Sequence, residues 1–339
     1  MRRLLAALVA TTLTLALAAC GGDDGSGRGT LTIYSGREEE LVEPLFEMFE
    51  ERTGIDVEVR YGDSAELAAT IAEEGGNSPA DVFFAQDAGT LGAVAEEGRL
   101  AELPDELLDR VDERFRDPHG RWVGTSGRAR VVVYNTEALS ESELPDTIFG
   151  YTDPAWKGRI GLPPTNASFQ AFVTAMRLSE GEERTRSWLA GIKANEPKFY
   201  EKNTPVVEAT AAGEIDVGFV NHYYLYLVKE EQPDAPIAND FLGGGDPGAL
   251  VNVAGAGIVE SSDQTDEARR FVDFLLSVEG QRFYAEGAEE AEFPLIEGIE
   301  PREGLPQLTE IQGPEVALGE LGGELEKTLE LLNELGYTS

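Results

Sequence analysis

The sequence has 339 residues, 41% of them hydrophobic, with 38 Gly and 17 Pro, so it is too long for one small module and too apolar for a disordered chain. Its 64 Asp and Glu against 27 Lys and Arg give a formal charge of −37, a field that favours cations and repels polyphosphate, so no nucleic acid partner is expected. The single cysteine, Cys20, excludes a disulfide framework, a thiolate zinc site and a thioredoxin-type motif.

At the N-terminus Arg2 and Arg3 precede an uncharged apolar stretch of sixteen residues, Leu4 to Ala19, which ends in Leu17-Ala18-Ala19-Cys20. The pattern resembles a bacterial lipoprotein signal, cut before Cys20 so that this residue carries lipid. The stretch falls short of the ~20 apolar residues a membrane span needs, and no other segment is a candidate. Cleavage removes two arginines and no acid, which takes the formal charge from −37 to −39. Gly21 to Gly29 (GGDDGSGRG) reads as a flexible tether, and the folded part is expected from Thr30.

From there β-like runs alternate with helical ones, which predicts parallel strands joined by crossover helices. Leu31 to Tyr34 reads as a strand. Glu38 to Thr53 carries Leu41, Val42, Leu45, Phe46, Met48 and Phe49 at helical spacing, with acids at its start and Gly54 at its end. Ile55 to Tyr61 alternates as a strand, Ala65 to Glu74 as a helix, and Asp81 to Phe84 as a third strand. A second set follows: strand Ala129 to Tyr134, strand Arg159 to Leu162, helix Phe169 to Glu180, strand Glu214 to Val220 and helix Tyr223 to Glu231. Strand Ala254 to Val259 and the amphipathic helix Thr265 to Ser277 come last. Two α/β lobes are expected.

Catalytic and nucleotide motifs are missing: the sequence has no GxxxxGK[ST], GxGxxG after a strand, HExxH or GxSxG. The only histidines are His119, in the turn Asp117-Pro118-His119-Gly120, and His222. A hydrolase would have to use one of them and nothing else supports it.

Asn221-His222-Tyr223-Tyr224-Leu225-Tyr226 is the segment that carries chemistry. It follows an apolar strand and opens a helix, the end of a strand where open α/β sheets place ligands. Neighbouring side chains diverge by about 100° on a helix and about 180° on a strand, so two adjacent phenols converge only at such a junction. A trivalent cation and the positive helix start both favour phenolate, and hard anionic oxygen suits ferric iron. Aromatic packing between the lobes is the alternative these residues leave open.

Several segments, in this order and spacing, resemble the bacterial ferric-ion-binding proteins, receptors of iron ABC importers with the two-lobed type II periplasmic binding fold. They are IYSGR (Ile33 to Arg37), PADVFFAQ (Pro79 to Gln86), SGRARVVVYN (Ser126 to Asn135), PAWKGRIG (Pro154 to Gly161), PTNASF (Pro164 to Phe169), Lys202-Asn203, GEID (Gly213 to Asp216), NHYY (Asn221 to Tyr224), DPGAL (Asp246 to Leu250), EGQRF (Glu279 to Phe283) and EFPL (Glu292 to Leu295). The resemblance runs from about Thr30 to the C-terminus. It implies no enzyme activity, a permease and an ATPase as partners, a lipid-anchored monomer on the outer face of the membrane, and ferric iron as cargo.

The resemblance further implies that Tyr223 and Tyr224 ligate iron. The family's histidine after the first strand falls at Glu38, a carboxylate that ferric iron accepts. The glutamate some members place after the third strand falls at Gln86, beside Asp87, and these two are expected to support the site rather than bind. A synergistic anion (phosphate, carbonate or citrate) is expected on Thr165, Asn166 and Ser168 with Asn203 and Asn221 opposite; free N–H groups before the helix at Phe169 suit an anion independently. Arg128 and Arg130 are expected to face opposite ways, one to the ligand and one to solvent, and Arg128 is assigned to the anion. The expected lobes are 30–128 with 255–305 and 129–254 with 306–339, closing by a hinge. A related receptor for thiamine or an oxyanion is the alternative, with the tyrosines as stacking walls.

Overall fold

The computed structural model describes residues 29–287 and 291–338, so Cys20, the signal and all of the tether except Gly29 lie outside the described residues. β1 (Leu31–Ser35), α1 (Glu39–Thr53), β2 (Val57–Tyr61), α2 (Ser64–Glu74) and β3 (Val82–Ala85) form a βαβαβ unit in which β1 pairs with both β2 and β3 in parallel. Local chemistry sets its boundaries. Gly54 ends α1 in the left-handed region (φ 65°), with its N–H on the Glu50 carbonyl, a conformation glycine takes without strain. Asp63 starts α2 by accepting from the Ala65 N–H.

After α3 (Ala88–Glu96) and the short α4 (Asp105–Leu108) comes β4 (Val123–Asn135). β5 (Ile160–Leu162), α5 (Ala167–Glu180), α6 (Glu182–Ala194), β6 (Lys198–Phe199), α7 (Asn203–Ala211), β7 (Val217–Asn221), α8 (Tyr224–Glu231) and β8 (Ile237–Asp240) follow. The chain returns through β9 (Val251–Ile258), α9 (Thr265–Leu275), α10 (Val278–Arg282) and β10 (Phe293–Pro294), and ends in α11 (Glu320–Gly323) and α12 (Leu325–Glu334).

The strand order is β2-β1-β3-β9-β4-β7-β5-β6, with β8 and β10 also on β4. This is the two-lobed type II periplasmic binding fold, parallel where helices cross over and antiparallel at the long strands that join the lobes. β4 is the shared element: Val123 to Ala129 pairs with β9, and Arg130 to Asn135 pairs with β7 and β8. The sequence predicts only its second half. The first half, with Gly124, Thr125, Ser126 and Gly127, has no alternating apolar pattern because both its faces are buried and tightly packed. A Cβ on Gly124 would lie 2.7 Å from the Phe115 carbonyl oxygen.

Each lobe has an aromatic core. Phe271 packs edge-on to Phe49 (5.2 Å, 86°) in the first, and Phe172 to Trp188 (5.5 Å, 88°) in the second. Truncating any of these buried rings costs about 3–5 kcal/mol. The C-terminal segment touches both lobes in different ways. α11 meets α3 through bare backbone, since a Cβ on Gly92 would lie 2.1 Å from the Gly319 carbonyl oxygen. α12 meets α5 through side chains: Thr174 and Thr328 hydroxyls are 2.8 Å apart, and Arg177 donates to Thr328 at 2.9 Å. Among the described residues no helix is long and apolar enough to cross a membrane.

Candidate functional site

The site is built around Arg130, which is 4% exposed on β4. Its guanidinium donates to the Phe219 carbonyl (2.7 Å), the Asn221 amide oxygen (3.0 Å) and the Ser168 hydroxyl (3.2 Å), and lies 5.5 Å from the Phe172 ring centre. Asn221 ends β7 and passes its own Nδ2 to the Tyr223 hydroxyl at 3.4 Å. Asn166 caps α5, accepting from the Ser168 N–H (3.0 Å) and hydroxyl (2.6 Å). Asn203, at the start of α7, donates to both Asn166 (3.1 Å) and Ser168 (3.2 Å). One network therefore runs Tyr223–Asn221–Arg130–Ser168–Asn166–Asn203. It joins four segments far apart in sequence, three of them at a strand end or helix start, while Arg130 comes from the interior of β4.

Tyr223 is 2% exposed and its ring stacks on that of half-buried Tyr224 with centroids 4.4 Å apart, tilted by 35°. The β7 to α8 junction sets this pair, as Tyr223 precedes the first residue of α8. Burial pushes the Arg130 guanidinium down to about 9, and the phenol oxygens of Tyr223 and Tyr224 work against that by favouring the cation. Arg130 stays charged at neutral pH, and among the described residues no carboxylate forms an ion pair with it. The fully buried Asn203 leaves its Oδ1 without a hydrogen-bond partner among the described residues. An unpaired buried polar atom costs about 1–3 kcal/mol. The Arg130 charge favours a small anion, and the Asn203 Oδ1, an acceptor, suits one that still carries a proton.

The network also shows which expected residues come together and which do not. Asn166, Ser168, Asn203 and Asn221 are within it, whereas Thr165 is exposed and gives only its carbonyl to Gln170. Arg128 makes no hydrogen bond to the network; its Nε lies 3.8 Å from Glu292, and Arg130 is the arginine inside the network. Nor does either arginine face solvent. Residues two apart on a strand share a face, and the two part because β4 changes partners between Ala129 and Arg130. Glu38 stands exposed just before α1. Asp87 caps α3 by accepting from the Thr90 N–H and hydroxyl, and the Gln86 N–H donates to Ser64. These three make no hydrogen bond to the network.

His222 is fully buried between backbone groups: the Ala129 N–H donates to Nδ1 at 3.2 Å, and Nε2 faces the Ala291 carbonyl at 3.0 Å. The proton therefore sits on Nε2. Burial pushes the ring down to about 4, so it is neutral, and neither nitrogen is left for a nucleophile or a metal. His119 is exposed in its turn. Among the described residues no three His, Cys, Asp or Glu side chains cluster to hold a metal ion.

A two-lobed fold with polar helix starts converging on a buried cation defines a solute receptor. The chain belongs to the bacterial extracellular solute-binding protein family, whose model matches residues 34–282. It is 34% identical over 334 residues to the major ferric iron-binding protein of Neisseria meningitidis, covering 97% of each chain. It is 32% identical to the Fe(3+)-binding periplasmic protein of Serratia marcescens, covering 97% of this chain and 96% of that one. Among solved structures, iron-bound HitA of Pseudomonas aeruginosa superposes with a TM-score of 0.82 at 35% identity, over 91% of this chain and 99% of that one. The Trichodesmium protein IdiA (FutA), in complex with iron and citrate, gives 0.82 at 28% identity over 91% and 100%.

Proposed function

We propose that this chain is the extracytoplasmic receptor of an ABC importer, delivering ferric iron to a permease and its ATPase, and that lipid on Cys20 holds it at the membrane. The observation that carries this reading is the stacked tyrosine pair hydrogen-bonded through Asn221 to a buried arginine that no carboxylate among the described residues balances. Phenol protons have a reference pKa near ~10. Ferric iron displaces them, and the Arg130 charge stabilises the phenolates that result. The relatives' names support iron as the cargo. In this reading Tyr223 and Tyr224 are the ligands, and Glu38 adds a carboxylate when the lobes close. A small anion such as phosphate, carbonate or citrate is held by Arg130, Ser168, Asn166 and Asn203. The moving bodies are 30–128 with 255–305 and 129–254 with 306–339.

Titrating the full chain, purified in detergent, with ferric citrate tests this reading. A visible phenolate-to-iron charge-transfer band is expected, and dialysis into a non-coordinating, anion-free buffer should weaken binding until phosphate, carbonate or citrate is restored. A protein that stays colourless is not a tyrosinate iron receptor, and its tyrosines are then walls for another solute.

A further inference from the structure

The segment after residue 290 makes no hydrogen bond to the network, yet several contacts hold it in place. Ala291 has φ 48°, a left-handed conformation that a residue with a side chain seldom adopts and that persists only when its surroundings impose it. Phe293 and Pro294 pair antiparallel with Gly127 and Ser126 of β4, and the Leu295 N–H donates to buried Gln281 at 2.6 Å. Between them lies Glu292, 0% exposed, with Arg37 at 2.9 Å and Arg128 at 3.8 Å. Burial works against its charge, and the two guanidiniums more than offset this, holding the carboxyl well below its usual range.

What this segment grips is His222. The Ala291 carbonyl takes the Nε2 proton, the Phe293 ring lies 4.7 Å from the imidazole, and the other face of the contact is Ala129, which is hydrogen-bonded to both the His222 ring and its N–H. His222 is the residue before Tyr223. A buried carboxylate anchored in the first lobe thus fixes a carbonyl that fixes an imidazole that fixes the start of the tyrosine pair in the second. Arg37, the other end of the ion pair, precedes Glu38.

We propose that Glu292 is a positioning residue for the tyrosine pair: through the Ala291 carbonyl and His222 it sets where the phenol oxygens stand. The inference rests on the tyrosinate reading above. Residues that orient metal ligands from behind change metal affinity by about 10–100-fold when removed. Glu292→Gln should therefore weaken ferric binding within that range and shift the visible band. The test is a cycle with His222→Phe on the full chain, read by ferric citrate titration. If Glu292 acts through His222, the double variant binds iron no more weakly than His222→Phe alone. Additive losses, or a Glu292→Gln protein with the parent's affinity and band, overturn the proposal. Where Glu292→Gln fails to fold, Glu292→Asp keeps the charge and shortens the reach. It should show a smaller loss with the band moved the same way, and a folded Asp variant with an unmoved band and affinity also overturns the proposal. A parent protein with no visible band would instead sink the ferric reading, and this inference with it.

Discussion

Arg128 and Arg130 are two residues apart on one strand, and both are buried, but they live in opposite electrostatic situations. Arg128 shares Glu292 with Arg37, so its charge is met by a carboxylate already in place. Among the described residues Arg130 meets a backbone carbonyl, an amide, a hydroxyl, the Phe172 ring and, nearby, two phenols, and no carboxylate. An arginine that shares a buried carboxylate serves the fold first, since breaking such a pair costs about 3–5 kcal/mol and making it yields little. A buried cation among neutral acceptors is unbalanced, and the imbalance favours whatever negative charge comes next: phenolate, anion, or both. The same long strand therefore carries one arginine for the fold and, in the proposed reading, one for the ligand.

The largest effect expected on that contrast comes from the phenols. Tyr223→Phe or Tyr224→Phe keeps the stacked ring and removes the oxygen. Each should bleach or shift the visible band and weaken ferric binding on the order of a thousandfold, about 4 kcal/mol. Tyr226→Phe, further into α8 and under Arg302 at 4.9 Å, should leave the band in place. Two Phe variants that keep the parent's colour would make the pair mere packing.

Next come the arginines themselves. Arg130→Gln removes the charge that favours phenolate, so ferric affinity should fall on the order of a hundredfold and iron should be released at a higher pH than from the parent. Arg128→Gln should do the reverse. It leaves Glu292 with Arg37 alone, lowering the melting temperature more than Arg130→Gln does while affecting iron less. Comparing melting curves with ferric titrations for the two variants decides it, and equal profiles would erase the distinction between them.

A smaller effect is expected on the first lobe's side. Glu38 is exposed and unbonded to the network, so in the proposed reading it contributes only in the closed, loaded protein. Glu38→Gln should cost about tenfold in affinity, roughly 1.4 kcal/mol, with no change in apoprotein stability. A loss as large as that of the tyrosine variants would mean that the carboxylate is a principal ligand.

Much of this was legible from residue order, and what was not has physical reasons. The βαβαβ unit follows from apolar periodicity, and the tyrosine junction from a strand running into a helix start. Asn166 and Ser168 announce a helix cap wherever they occur. By contrast α3, Ala88–Glu96, is built from small residues that pack backbone to backbone against α11, so its faces carry no amphipathic contrast. The first half of β4 is polar in sequence and buried in fact, because its neighbours supply every contact. Choosing between Arg128 and Arg130 needed the change of strand partners at Ala129, which no spacing records. The Glu292 anchor joins residues 255 apart in the chain, and nothing local distinguishes its glutamate from the many solvated acids around it.

The smallest effect extends the comparison to the opposite sign. Asp240, at the end of β8, is a partly buried carboxylate with no ion-pair partner among the described residues, the acidic counterpart of Arg130. Burial first, then Glu141 and Asp146, push its carboxyl up to about 6, and Tyr134 and Tyr151 also face it, neutral throughout this range. Because the folded-state value lies above the ordinary 3.8, the folded protein holds the proton more tightly than the unfolded chain. The stability this gives is complete below about pH 4 and is lost as pH rises through 6. Asp240→Asn cannot lose it, so the variant should match the parent near pH 4 and exceed it at pH 7 by about 1 kcal/mol after solvent screening. Melting temperatures across that interval measure the difference. A constant offset would show that the carboxyl does not titrate in that interval.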